Sequence, residues 1–254
     1  GLNLDSGVLL AVKHRDLAEV SSRELAALEN EIRVLAGLRH PNIVRYHQSV
    51  LLRDRGVLNI VMEFCDGGDL SELLTKQREA QRRLPELEVR SMLAQLTSAL
   101  AHMHARKIVH RDIKPANVFI TSVAPTSCVK LGDLGVGRYF SSKTDMTHST
   151  VGTPYYMSPE CIQAGGGGGG YDFKSDTWSL GCLLYELAAL RSPFYREKIN
   201  FYLLGKRITS GTFDPLPGGF SAQLRELVDS LLRVDVAARA SAADAYERAV
   251  AAAG

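Results

Sequence analysis

The chain has 254 residues, 45% of them hydrophobic, which is enough for one large domain or two small lobes around a substantial core. Lys and Arg total 30 against 28 acidic residues, and the formal charge of +2 gives no support to a nucleic-acid surface or a basic membrane-binding stretch. The four cysteines, Cys65, Cys128, Cys161 and Cys182, have neither C-x-x-C spacing nor disulfide-scaffold density, and no run approaches the roughly 20 apolar residues of a membrane span. A soluble, intracellular protein with no nucleic-acid or membrane partner is therefore expected.

In chain order, residues 8–12 form a short aliphatic strand after the Asp5-Ser6-Gly7 turn, ended by Lys13. Residues 21–38 open on Ser21 with Glu24 three positions on, a capping box, and continue with Leu25, Leu28, Ile32 and Leu35 at helical spacing. Glu31 lies one turn from both Leu28 and Leu35, at the edge of that apolar stripe, where a carboxylate needs a cationic partner; Lys13 is the candidate. A second strand covers residues 57–64 and breaks at Asp66-Gly67-Gly68-Asp69, which reads as a hinge. Beyond it, residues 69–76, 85–104, 175–190, 198–208 and 221–233 have helical spacing, with short strands at 118–121 and 129–131. Residues 135–160 have little periodicity, and a connection of that length in a compact domain is usually functional. The six glycines at 165–170 read as a surface insertion, and the alanine-rich end from residue 237 as a weak helix with a frayed tail.

Three strings carry chemistry. His110-Arg111-Asp112-Ile113-Lys114-Pro115-Ala116-Asn117 places a carboxylate five residues before an amide, so one rigid loop offers a proton acceptor and a metal-ligating oxygen. Asp133-Leu134-Gly135 follows a Val-Lys-Leu strand; alone it is an ordinary turn, but its position lets a second oxygen reach the same hard cation. Leu10-Ala11-Val12-Lys13 puts a lysine at a strand end, where a solvated side chain is the plain reading. In this order, with Ser158-Pro159-Glu160 and Asp176-Thr177-Trp178-Ser179-Leu180-Gly181 downstream, they resemble the protein kinases over more than nine-tenths of the chain. The stretch from Asp133 to Pro159, with Val151-Gly152-Thr153-Pro154-Tyr155-Tyr156-Met157, and Ser192-Pro193-Phe194-Tyr195 beyond it, resembles the NIMA-related kinases, particularly their short, catalytic-domain-only members.

That resemblance implies an α+β, bilobal fold: a small β-rich N-lobe at residues 1–65, a mainly helical C-lobe at 66–254, and ATP with Mg2+ between them. It implies Asp112 as the acceptor of the substrate proton, Asn117 and Asp133 as metal ligands, Lys13 paired with Glu31 at the phosphates, and Lys114 as the mark of serine/threonine rather than tyrosine acceptors. It places Ala11 and Phe119 above and below the adenine, Met62 at the back of the pocket, Glu63 and Cys65 as backbone contacts to the adenine edge, and Asp69 near the ribose. Asp176 is expected to support the catalytic-loop backbone, and Glu160 to pair with Arg239. A phosphate on Ser149, with Thr147 and Thr150 as neighbours, is expected to meet Arg111 and Arg138 and order the loop. Partners implied are protein substrates and an upstream kinase, for a monomer acting in the cytoplasm, at cytoskeleton, centrosome, spindle or cilium, or in the nucleus.

One departure stands out. Only twelve residues precede Lys13 and none form G-x-G-x-x-G, so the first strand and the phosphate-covering loop are missing and weak or absent activity is expected of these 254 residues alone. Two other readings carry different tests: a pseudokinase or scaffold binding module, and a helical interaction protein with accidental kinase-like strings.

Overall fold

Strand β1 (Leu10–Asp16) alternates in the way its residue types demand: Ala11, Lys13 and Arg15 are half-covered on one face, while Val12, His14 and Asp16 are exposed on the other. Lys13 is therefore in mid-strand on the covered face rather than at the strand's end. In this computed structural model, which describes residues 7–17, 32, 36–121, 128–133, 154–164 and 172–251, β1 pairs antiparallel with β3 (Val57–Glu63), Lys13 opposite Ile60 and Ala11 opposite Met62. On the other side of β3 lies β2 (Tyr46–Leu52), giving the order β1-β3-β2. The sequence reading has no strand there: four consecutive exposed residues and a register shift between Tyr46 and Gln48 erase the alternation that marks a half-buried strand.

The larger part is helical: α1 (Leu70–Glu79), α2 (Glu86–Ala105), α3 (Pro159–Gln163), α4 (Phe173–Ala189), α5 (Phe201–Ser210), α6 (Ala222–Leu231) and α7 (Ala242–Ala251). Helix α4 is the spine of this lobe, with every residue from Ser175 to Ala188 buried. Asp172 caps it, accepting from the amides of Lys174 and Ser175. Trp178 stacks on Phe194 with ring centroids 5.5 Å apart. At Gly181 a β-carbon would stand 2.8 Å from Leu231 and 2.9 Å from Leu232, so the missing side chain is what lets the end of α6 reach the spine. Gly181→Ala is expected to destabilise the fold by about 1–3 kcal/mol, read as a lower urea midpoint at unchanged slope.

The C-terminal helix is better anchored than the weak helix expected, and the tail beyond residue 251 lies outside the described residues. Ser241 and Asp244 cap α7 reciprocally, Asp244 accepting from the Ser241 amide and hydroxyl and donating its own amide to the Ser241 hydroxyl. Ala242, Ala245 and Ala249 are buried on the face that meets α2, where small side chains allow close approach.

Two short strands join the lobes. Hairpin β4 (Val118–Thr121) and β5 (Cys128–Leu131) pair antiparallel, and both chain crossings lie on it. The segment before β2 is laid along β5: Leu131 donates to the Asn42 carbonyl at 2.8 Å and Val44 to the Leu131 carbonyl at 2.8 Å. The Asn42 side chain adds bonds to Val129 O and to Gln95. On the other edge, Gly67 donates to Ile120 O and Ile120 to Gly68 O, each at 2.9 Å. A β-carbon on Gly67 would meet Ile120 at 2.9 Å, and Gly68 has φ +74°, so these two glycines are a stitch as well as a hinge.

Candidate active site

The His110–Asn117 loop is held from below by Asp176. Its carboxylate, fully buried in α4, accepts from the amide of His110 at 2.8 Å, from the amide of Arg111 at 2.9 Å, and contacts His104 Nε2 at 2.8 Å. A buried carboxylate needs such a complement of donors, and these donors fix the backbone of the loop. His110 beside it is wholly buried; burial holds its imidazole below the ordinary value, against the opposing carboxylates of Asp176 and Asp112.

Above this support the functional groups are locked to one another. Asn117 donates its amide nitrogen to both the backbone carbonyl and Oδ2 of Asp112, each at 2.7 Å, which commits that end of the amide and leaves the oxygen as its other arm. Lys114 reaches the same Oδ2 at 2.8 Å. Gly132 donates its amide to the Asn117 carbonyl at 2.9 Å, so Asp133, the next residue, stands beside the loop. The Asp133 carboxylate then meets the ammonium of Lys13, brought over by β1. Burial and the nearby Arg15 and Lys114 cations lower the Lys13 pKa to about 8, with Asp112 acting in the opposite sense.

Two residues of this cluster take backbone conformations that side chains disfavour, Arg111 at φ +71° and Asp133 at φ +57°. Such positions cost on the order of 1–3 kcal/mol and persist where the surroundings fix them, as Asp176 does for one and the Gly132–Asn117 bond for the other. Among the described residues no three His, Cys, Asp or Glu side chains gather as a metal cage. The donor set is instead one amide oxygen and one carboxylate, which suits a hard cation that keeps most of its ligands from water and phosphate.

Phe119, from β4, packs against Gly132: a β-carbon on Gly132 would lie 2.6 Å from its ring and 2.9 Å from Val44, so any side chain at 132 must displace that ring. Gly132→Ala is expected to weaken nucleotide binding about tenfold or more while costing about 1–3 kcal/mol of stability, measured by calorimetric titration and urea unfolding. In the small lobe, Met62 on β3 sits opposite Ala11 on β1. The Glu63 side chain is spent on Lys130 at 3.0 Å and the Arg45 amide at 3.0 Å, so a ligand contact at this position is a backbone one. Cys65 is half-buried; burial and the Glu63 charge push its thiol up to about 11. Asp69 caps α1 by accepting from the Glu72 amide at 3.0 Å.

Sequence comparison accounts for this assembly. The profile of the protein kinase domain matches residues 1–250. Similar proteins include the probable serine/threonine-protein kinase nek3 of Dictyostelium discoideum, 38% identical over 95% of this chain and 21% of that protein, and mouse Nek4, 41% identical over 89% of the chain and 27% of that protein. Human Nek2 is 40% identical over 90% of the chain and 50% of that protein. The chain belongs to the protein kinase family, on its NIMA-related branch. It spans about a fifth to a half of the length of these relatives. Kinase domains use ATP and a divalent metal, and the antiparallel small lobe and helical large lobe described above are the bilobal kinase fold.

Against that fold, Lys13, Asp112, Lys114, Asn117 and Asp133 form one linked cluster across the two lobes. Asp176 binds the backbone of the His110–Asn117 loop, and Glu160 binds Arg239 through two bonds of 2.7 and 2.9 Å. Glu31, Arg138, Thr147, Ser149 and Thr150, together with the glycines at 165–170, lie outside the described residues. Arg111 lends its backbone amide to Asp176.

A group the sequence reading passed over is Glu186, ten residues beyond Asp176 in the buried α4. It accepts from the Tyr156 hydroxyl and from the Arg78 guanidinium, which also donates to Leu190 O at 2.6 Å. Burial raises the Glu186 carboxyl above its ordinary value, outweighing Tyr156 and Arg78. The signal was available: a carboxylate in the middle of Leu183-Leu184-Tyr185-Glu186-Leu187 demands a partner. The network ties the segment after the long loop, α4 and α1 together.

Proposed function

We propose that the chain transfers the γ-phosphate of ATP to serine and threonine residues of protein substrates. The observation that carries this reading is the Asn117–Asp112–Lys114 knot set beside an Asp133 that meets Lys13 from the opposite lobe. Asp112 accepts the proton of the incoming hydroxyl, and Lys114, on the same carboxylate oxygen, is placed to reach the phosphate as it leaves ATP. The Asn117 amide oxygen and the Asp133 carboxylate hold Mg2+, which when bound supplies positive charge that offsets the phosphate oxygens. Lys13 orients the α- and β-phosphates, with Glu31 as its partner. Ala11, Met62, Phe119, the backbone at Glu63 and Cys65, and Asp69 receive the adenosine.

In this reading Asp176 positions the loop, and Glu160 with Arg239 anchors the segment that follows the long connection. Phosphate on Ser149 meets Arg111 and Arg138 and orders that connection, a role charge-assisted Arg–phosphate bonds suit. The names of the relatives support protein substrates, and membership of the NIMA-related branch supports work at the spindle, centrosome or cilium, in cytoplasm or nucleus, under an upstream kinase.

The test is transfer of radiolabelled phosphate from ATP to peptides that differ only in carrying Ser, Thr or Tyr. Labelling of the first two and not the third is expected, weak with these 254 residues and strong with a version extended upstream through a phosphate-covering loop. Labelling of the tyrosine peptide alone would overturn the acceptor assignment, and labelling of none by the extended version, with ATP analogues still bound, would make the chain a pseudokinase.

A further inference from the structure

The first turn of α5 carries three exposed apolar residues in succession, Phe201 at 66% exposure, Tyr202 at 65% and Leu203 at 49%. Among the described residues they take no part in the core. Helix α5 packs through Leu204 and Ile208, its N-terminus is capped by Asn200, which accepts from the Leu203 amide at 2.9 Å, and polar residues would serve a solvated first turn better. Tyr195, itself exposed, lies in the loop just before.

Cations border the patch. Lys206 stands over the Tyr202 ring at 4.6 Å, one helical turn on. Lys198 is exposed three residues before the helix. In the same stretch of sequence, Arg191 and Arg196 share Asp214 at 3.2 and 2.7 Å, and the hydrogen bond from Arg196, with the charges of Arg196, Arg191 and Arg207, depresses that single carboxyl. The strip from Arg191 to Asp214 thus sets Arg191, Arg196, Lys198, Lys206 and Arg207 against only Glu197 and Asp214.

We propose that this face of the large lobe docks a partner protein through an acidic segment bearing apolar side chains. Contiguous exposed aromatics mark interaction sites, and aromatic residues beside basic ones are the composition of energetic hot spots. The surplus of positive charge selects the partner's sign: carboxylates satisfy the rim while leucine- or phenylalanine-type side chains cover Phe201, Tyr202 and Leu203. The surface is built entirely from residues 191–214, and none of them belongs to the nucleotide cleft, so docking here is independent of the proposed transfer reaction.

The test uses a fluorescein-labelled peptide of about 15 residues with Leu and Phe at every third or fourth position among glutamates, and a counterpart with lysines in place of the glutamates. Anisotropy is expected to show saturable binding of the glutamate peptide, weakened at least about tenfold by Phe201→Ser/Tyr202→Ser and by Lys198→Glu/Lys206→Glu, and no binding of the lysine peptide. Urea midpoints close to the parent's verify that the variants fold, and Tyr202→Ser alone serves if the double variant does not. Unchanged affinity in both variants, equal binding of the two peptides, or no saturation below about 1 mM would overturn the proposal. So would dimerisation of the chain, seen by sedimentation and abolished by the serine variant, since a second copy would then be the occupant.

Discussion

Asp112→Asn is expected to lower phosphate transfer by about 10²–10⁴-fold while leaving binding of ATP analogues close to that of the unsubstituted protein. The amide has the shape of the carboxylate and can still be held by Asn117 and Lys114, which approach Oδ2 at 2.7 and 2.8 Å, so the loop keeps its place on Asp176. What the substitution removes is the ability to take a proton. The barrier rises by about 3–5 kcal/mol, a factor that belongs to the chemical step and appears in kcat rather than in KM. A matching fall in analogue affinity would mean that Asp112 holds the nucleotide instead, and an unchanged rate would remove it from the chemistry.

Arg239→Ala is expected to cost about 3–5 kcal/mol of stability. The Arg239 side chain is fully buried. Its guanidinium binds both oxygens of Glu160, donates to the carbonyls of Arg233 and Lys174, and lies 5.0 Å over the Trp178 ring. Removing it strands a covered carboxylate and opens a cavity beside the spine. Adding Glu160→Gln to Arg239→Ala is expected to recover part of the loss, the mark of a coupled pair in a double-mutant cycle.

The same pair fixes a pH dependence. Burial works to raise the Glu160 carboxyl, and bonds from Arg239, the backbone and Ser175 outweigh it, so the folded value lies below the ordinary 4.5. Stability from this group is therefore complete above the unfolded value and is lost as pH falls through the folded one. The penalty of Glu160→Gln, measured by urea unfolding, is expected to shrink steadily below pH about 4.5.

The long helices of the large lobe and the order of the clustered polar residues were legible in the sequence because each rests on a local rule. Leu224, Leu227, Val228 and Leu231 recur at helical spacing behind the Ser221 cap, and Asp112, Asn117 and Asp133 occur in a fixed order. Strand β2 was not legible because it is an exposed edge whose existence depends on β3 rather than on its own pattern. Residues 237–254 looked like a weak helix because alanine has no amphipathic signature, although Ala242, Ala245 and Ala249 are the contact surface for α2. The partners of Glu186 lie 30 and 108 residues away in sequence, a distance no spacing rule covers. The crossings at Asn42 and Gly67, which bring Lys13 over Asp133, are likewise backbone bonds that composition does not encode.

The proposed convergence of Asn117, Asp133 and Lys13 on one nucleotide is tested most directly by thermal unfolding with a non-hydrolysable ATP analogue, with and without Mg2+, in the parent protein and in Asp133→Asn. Ligand that binds only the folded state must raise the midpoint. The parent is predicted to gain a Mg2+-dependent rise that Asp133→Asn abolishes; a rise that is the same without Mg2+, or that survives the substitution intact, would contradict the account.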